Sequence, residues 1–294
     1  MTVYIEWYWQ VFYILVPTVG IVTNTLIVYV TVIDRRLRSP CNIMIAMIAF
    51  GDVFHQLGQY VMVISHDIAP EHVMPQHICM HLQAAPLFGL CFSSVIVLCV
   101  AIDRILALKR IYLLILNHQK LYLTLHTTPA VLFSILFVVW SYLLVDDRYV
   151  TCGIPDVLTQ EAYNACFGAI VVINVLLIIC YSYMLYSIRN VVSGDSRMRN
   201  ILRTLILITL TVVFGWFSTN LIRFGAEFLH IRFQHRIGLD LTAGVFVHIS
   251  IATNFFIYYF VSSEYREVFD KRLFTKTLRE KFRIAAVSGI TVTY

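Results

Sequence analysis

Charge is what this chain has least of. Only 13% of its 294 residues are Asp, Glu, Lys or Arg, against about 25% in soluble domains. Hydrophobic residues make up 59%, and mean hydropathy is +0.77. That balance excludes an ordinary soluble domain and places most of the chain in lipid. Further absences exclude chemistries. There is no Gly-rich phosphate loop, no Gly-x-Ser-x-Gly elbow and no His/Cys/Asp/Glu cluster at zinc spacing. Neither an enzymatic activity nor a resident cofactor is therefore expected. No Asn-x-Ser/Thr sequon occurs, so N-glycosylation is not expected. The first ten residues hold Glu6 and no Lys or Arg, which argues against a removable signal peptide. Without an internal repeat or a Gly/Ser- or Pro-rich linker, one bundle is the economical architecture.

What is present is a set of long apolar runs. Seven reach membrane-spanning length: roughly 10–33, 41–65, 79–102, 128–145, 162–188, 201–222 and 239–261. The fourth is the shortest. Lys and Arg are sorted between the connections. The first, third and fifth connections and the tail hold 18 of the 22, including Arg35, Arg36, Arg38, Lys109, Arg110, Arg197, Arg199 and Arg203. The other side holds four, among them Arg223, Arg232 and Arg236. The positive-inside rule then predicts an extracellular N-terminus and a cytoplasmic C-terminus. The formal charge of +5 is thus a matter of loop distribution, and no nucleic-acid partner is expected.

The third run, Cys79 to Arg104, covers 25 steps, roughly 37 Å as a helix. It carries a thiol at the outer boundary and an Asp-Arg pair at the inner one. Of seven cysteines, only Cys79 and Cys152 fall on the oxidising face, and a disulfide between them is predicted. Cys166, near the outer end of span five, is the rival partner. Asp103 and Arg104 can hold each other at the inner mouth, and releasing Arg104 would offer a cation to a partner protein.

Polar residues inside the spans are few and patterned. In span two, Asp52, His55, Gln56 and Gln59 share one helical face. An Asp at mid-bilayer costs roughly 2.5–3.5 kcal/mol on insertion scales, so this face should look into the bundle. Its expected partners are Asn24, Ser93, Ser250 and Asn254. Such a cluster suits a small cation such as Na⁺ held at Asp52 and Ser93. It equally suits a protonated Asp in a hydrogen-bonded core, or the proton relay of a transporter. In span six, Trp216, Asn220 and Arg223 climb one face. With Gln56, Gln59, Tyr60 and Gln83 they could line an outward-opening cavity; the alternative is that Trp216 is core and Arg223 snorkels to headgroups. Span seven has no lysine, which excludes a retinal Schiff base there, and no cysteine follows it for a palmitoyl anchor.

With these residues placed, the chain resembles a rhodopsin-like G-protein-coupled receptor, and more narrowly the nematode serpentine receptors of class SX. The likeness runs over roughly residues 17–270. It rests on GIVTN from Gly20 to Asn24, LRSPCNIMIA from Leu37 to Ala46, GDVFHQLG from Gly51 to Gly58, PLFGLCFSSVIVLCVAIDRILAL from Pro86 to Leu108, and ATNFFIYYFVSSEYREVF from Ala252 to Phe269. The resemblance implies an all-α seven-helix membrane bundle over 10–270, with a short membrane-lying helix at its end. Residues 1–9 then form an outer segment and 271–294 a basic cytoplasmic tail. It also implies a small-molecule or peptide ligand outside and a heterotrimeric G protein inside. A plasma-membrane, chemosensory setting follows, with the sensory cilium as one location. By position it makes Asp52, Ser93 and Asn254 a sodium site and Trp216 the tryptophan beneath the ligand. Arg104 becomes the residue freed on activation and Tyr258 its switch partner.

Departures accompany the likeness. Span five lacks a proline, and Ser218, Phe255 and Ile111 stand where the superfamily carries prolines. Proline is a main cause of sharp helix bends, so a swinging, bent span six is less secure. No acid stands at the base of span six, Asp195 lying earlier, and Pro86 argues against a biogenic-amine ligand. The competing class is a seven-span proton- or cation-coupled transporter using Asp52 as a midplane site.

Overall fold

The structure, a computed structural model, describes residues 4–107, 117–191, 206–207, 210–211, 213–222, 225 and 233–273 (backbone only at 188–191 and 233–237). In lipid the backbone must satisfy its own hydrogen bonds, and apolar runs of this length do so as helices. Those helices are α1 Trp7–Ile33, α2 Pro40–Ile68, α3 Gln76–Ala107, α4 Gln119–Leu143 and α5 Gln160–Val191. Then come α6 (213–222), α7 Phe233–Val261 and the ten-residue α8 Ser263–Arg272. Six of the described helices are long and apolar enough to cross a membrane, and α6 occupies the remaining predicted span. The protein is a multi-pass, seven-helix membrane bundle.

Several boundaries differ from the hydropathy reading. Helix α4 begins at Gln119 rather than 128, because its first turns are polar and continue out of the apolar layer. α1 starts at Trp7, inside the predicted outer segment. α8 runs to Arg272, two residues beyond the expected end of the bundle, and residues 274–294 of the predicted tail lie outside the described residues. Among the described residues, one small antiparallel ladder also forms, Met74–Pro75 against Tyr149–Val150.

Helix α3 is the axis. It packs against α2, α4 and α5, and its crossing with α2 is made by two glycines. A Cβ on Gly51 would lie 3.0 Å from the Gly89 carbonyl oxygen, and one on Gly89 would strike the Gly51 carbonyl and Phe54. Small residues let membrane helices approach to backbone contact, and at Gly89 no larger residue fits without a backbone shift. Outside, Leu132, Leu136, Val139, Ile178 and Ile179 turn to the lipid.

At the end of the bundle carrying Arg104, α8 closes the base. Ser262 caps it by accepting from the Tyr265 N–H at 3.4 Å. Tyr265, Val268 and Phe269 are buried against the bundle while Lys271 and Arg272 occupy its last turn. Asp34 ties the first connection to α8. It accepts from the Arg36 N–H at 3.1 Å and from Arg36 Nε at 3.2 Å, and faces Arg272 Nε at 3.6 Å. Hydrogen bonds from Arg36 hold its carboxyl down at about 2.

Candidate functional site

A column of polar side chains runs through the bundle beside α3. At its middle, Asp52 of α2 accepts a hydrogen bond from Asn254 Nδ2 of α7 at 3.2 Å and one from Ser93 of α3. The helical spacing of α2 aims Asp52 inward because lipid offers a carboxylate no partner. Asn24 donates to the carbonyls of Gly20 (2.9 Å) and Ile251 (3.2 Å), joining α1 to α7. The oxygens Asn24 Oδ1, Ser250 Oγ and Asn254 Oδ1 are buried with no hydrogen-bond partner among the described residues. A cavity of about 30 Å³ is lined by Asp52, Ser93, Ser250, His55 and Trp216. That is room for roughly one or two waters. One carboxylate with neutral oxygens around it is the donor set of a small hard cation. Among the described residues, no group of three or more His, Cys, Asp or Glu gathers for a metal ion.

One turn further, His55 stacks on Trp216 with ring centroids 6.1 Å apart and planes at 19°. Phe167 of α5 flanks the same indole, also at 6.1 Å. Gln56 pairs with His248 of α7: the imidazole Nδ1–H donates to Gln56 Oε1 at 2.7 Å, and the amide Nε2 donates back to the His248 carbonyl at 3.4 Å. The histidine at 248 carried no signal in the sequence beyond being polar in an apolar run.

Among the described residues, those read as a ligand cavity do not meet in one open space. Gln83 is fully buried, and its amide donates to the carbonyls of Gly58 (2.9 Å) and Cys152 (2.6 Å). Gln59 is buried, and Tyr60 turns to α1, where its hydroxyl meets Thr18. Asn220 donates to the Trp216 carbonyl at 2.8 Å. Arg223 lies outside the described residues. The loop before α5 fills the space instead. Its 3₁₀ turn Ile154–Val157 buries both Ile154 and Val157, and Ile154 sits where a Cβ on Gly58 would come within 2.7 Å. Cys79 and Cys152 are joined as a disulfide, with Cα atoms 5.3 Å apart, pinning that loop to α3. Cys166 lies instead beside Cys91, sulfur to sulfur 3.8 Å.

At the far end of α3, Asp103 and Arg104 form a buried ion pair, Arg104 Nε reaching Asp103 Oδ2 at 2.8 Å. The other carboxylate oxygen accepts from Tyr122 of α4 at 2.9 Å. Tyr122 was not singled out in the sequence, since it precedes the apolar run that marked the fourth span. Tyr258 is buried nearby in the same core cluster as Tyr181 and packs on Tyr265, centroids 4.8 Å apart. Phe255, at the position of the missing proline, lies against Phe269 at 4.6 Å, and α7 continues as helix to Val261. Ile111 and Asp195 lie outside the described residues.

A search among curated proteins finds no match. The family comparison does: residues 17–273 match the serpentine type 7TM GPCR chemoreceptors designated Srsx, a family of receptors and not of enzymes. A match over that much of the chain, on a seven-helix membrane bundle, means that the protein belongs to the Srsx family of serpentine chemoreceptors.

Proposed function

We propose that this receptor binds an extracellular small molecule or short peptide and activates a heterotrimeric G protein, without catalysing any reaction. The observation that carries the reading is the buried Asp103–Arg104 pair, clamped by Tyr122 at the end of α3 opposite the disulfide. A cation held by its neighbour at a membrane boundary is a two-state element, since a partner protein can compete for it. The loop charges favour that end in the cytoplasm and the disulfide outside, and the plasma membrane, with the sensory cilium as one location, is the setting proposed. Ligand binding near Trp216 would favour the arrangement in which Arg104 and Tyr258 reorganise.

The donor set around Asp52 fits an allosteric Na⁺. Ser93 and Asn254 would hold it with the carboxylate, while Ser250 and Asn24 supply oxygens with no donor among the described residues. Bound there, the ion supplies a positive charge that offsets the buried carboxylate.

The test is a ligand screen of the expressed chain with a promiscuous G protein, repeated with Arg104→Ala. Ligand-triggered output that vanishes in the variant, without solute flux, supports the receptor. Substrate-dependent currents that need Asp52 and ignore Arg104 would instead make it a carrier.

A further inference from the structure

We propose a second binding site on the membrane-facing side of the bundle, a groove between α2 and α3 that takes a single-chain amphiphile with a cationic head group. The groove has a volume of about 1380 Å³, more than the roughly 300–1,000 Å³ of pockets for drug-sized ligands. Leu57 and Ile64 of α2 form one wall, and Ile78, Leu82 and Pro86 of α3 the other. Four of these side chains are 40–50% exposed, so they face outward to lipid and not into the polar column. Phe54 marks the depth and Ile68 the rim, roughly 21 Å along α2 at the helical rise. The groove therefore runs through about one half of the bilayer.

The rim has the opposite character. It is built by the Pro70–His72 turn together with Tyr149 of the facing strand, and Glu71 lines the mouth. Glu71 and His72 both adopt left-handed backbone, φ 57° and 64°. That conformation is uncommon for residues other than glycine, and it persists only where its surroundings impose it. Here the His72 N–H donates to the Ala69 carbonyl at 3.1 Å and its ring Nδ1 to the His66 carbonyl at 2.8 Å. The turn that carries Glu71 is thus held. Glu71 has no ion pair among the described residues. Arg148, the only cation of the facing loop, gives its guanidinium to the carbonyls of Asp156 (3.1 Å) and Leu158 (2.7 Å). An apolar slot one leaflet deep, with a carboxylate at its mouth that has no ion pair among the described residues, is the complement of a long alkyl chain ending in a cation.

The site is separate from the cavity at Asp52, and its test needs no signalling readout, so it stands or falls independently of the receptor reading. The full chain in phosphatidylcholine nanodiscs would be irradiated with a diazirine-bearing hexadecyl trimethylammonium probe and, in parallel, a hexadecyl sulfate probe. Peptide mapping should place the ammonium label on residues 54–68 and 78–86, well above the lipid-facing peptides of α4 and α5. The sulfate should show no such concentration. Glu71→Gln should lower the ammonium label about tenfold, and Leu82→Trp should remove it by filling the slot. Folding of both variants is checked by monodisperse elution with the Cys79–Cys152 bond intact. Even labelling around the bundle, equal labelling by the sulfate, or an unchanged signal in Glu71→Gln would each overturn the site, leaving ordinary boundary phospholipid in the groove.

Discussion

Tyr122 and Arg104 hold the same carboxylate from opposite sides: the tyrosine hydroxyl takes Asp103 Oδ1, and the guanidinium takes Oδ2. The resting arrangement of the arginine is thereby set from α4 as well as from its own neighbour. Tyr122→Phe removes one hydrogen bond to a charged acceptor, about 1.5–3 kcal/mol. On the proposed function, ligand-independent G-protein activation should rise several-fold, while Arg104→Ala is silent. Basal output equal to the parent in Tyr122→Phe would reduce Tyr122 to packing.

Loss of the disulfide should be felt far from the thiols. Cys79 and Cys152 close a loop with a sequence separation of 73, worth about 4 kcal/mol in the chain-entropy treatment. Gln83 also loses its anchored acceptor at Cys152. The double Cys79→Ser, Cys152→Ser variant should show a thermal midpoint in detergent well below the parent's, and the parent should fall to the same value under reductant. Equal midpoints would mean that the loop is held by Gln83 and Ile154 alone.

Two glycines make opposite predictions. Gly89→Ala drives a methyl into the Gly51 carbonyl and Phe54, an overpacking cost of about 1–3 kcal/mol. Surface expression should drop. Gly168→Ala has nothing within 4 Å and should be neutral or gain up to about 1 kcal/mol from helix propensity. The thermal shifts of the purified pair check both signs.

Acid should loosen the first connection before it reaches the core. The Asp34 carboxyl sits at about 2, below its ordinary 3.8. A lowered folded value means stability that is complete above about pH 4 and is lost as pH falls toward 2. Between pH 5 and pH 3 the parent should lose thermal stability that Asp34→Asn, already lacking the Arg36 and Arg272 pairs, does not lose. Parallel pH profiles for the two proteins would contradict the assignment.

Sodium sensitivity should depend on one carboxylate. On the proposed cation site, raising NaCl against choline chloride shifts ligand affinity in the parent, and Asp52→Asn should flatten that response. An unaltered sodium dependence in the variant leaves the cluster a structural core only.

Much of the bundle could be read from hydropathy, since a lipid solvent dictates where helices run. What hydropathy marks is the apolar layer, not the helix: α4 extends nine residues past it, and Tyr122 lies in that extension. Periodicity put Asp52, His55, Gln56 and Gln59 on one face. It could not say that Gln56 would choose a histidine 192 residues away, because every inward polar group is an equally good partner until the helices are packed. Gln83, read as pocket lining, instead gives its amide to the carbonyls of Gly58 and Cys152 for a related reason. A polar residue near a membrane boundary reads as pocket lining whether it meets a ligand, a loop carbonyl or a neighbouring helix.

The pair of hydrogen bonds from Gln83 to the carbonyls of Gly58 and Cys152 has a mechanical meaning. Together with the disulfide and the glycine crossing, it fastens α3 to α2 and to the loop above it. A rod clamped at its top and middle is a poor lever and a good fulcrum. Work done by a ligand against Trp216 would then turn the remaining helices around α3, and Arg104 would be uncovered by its neighbours moving away.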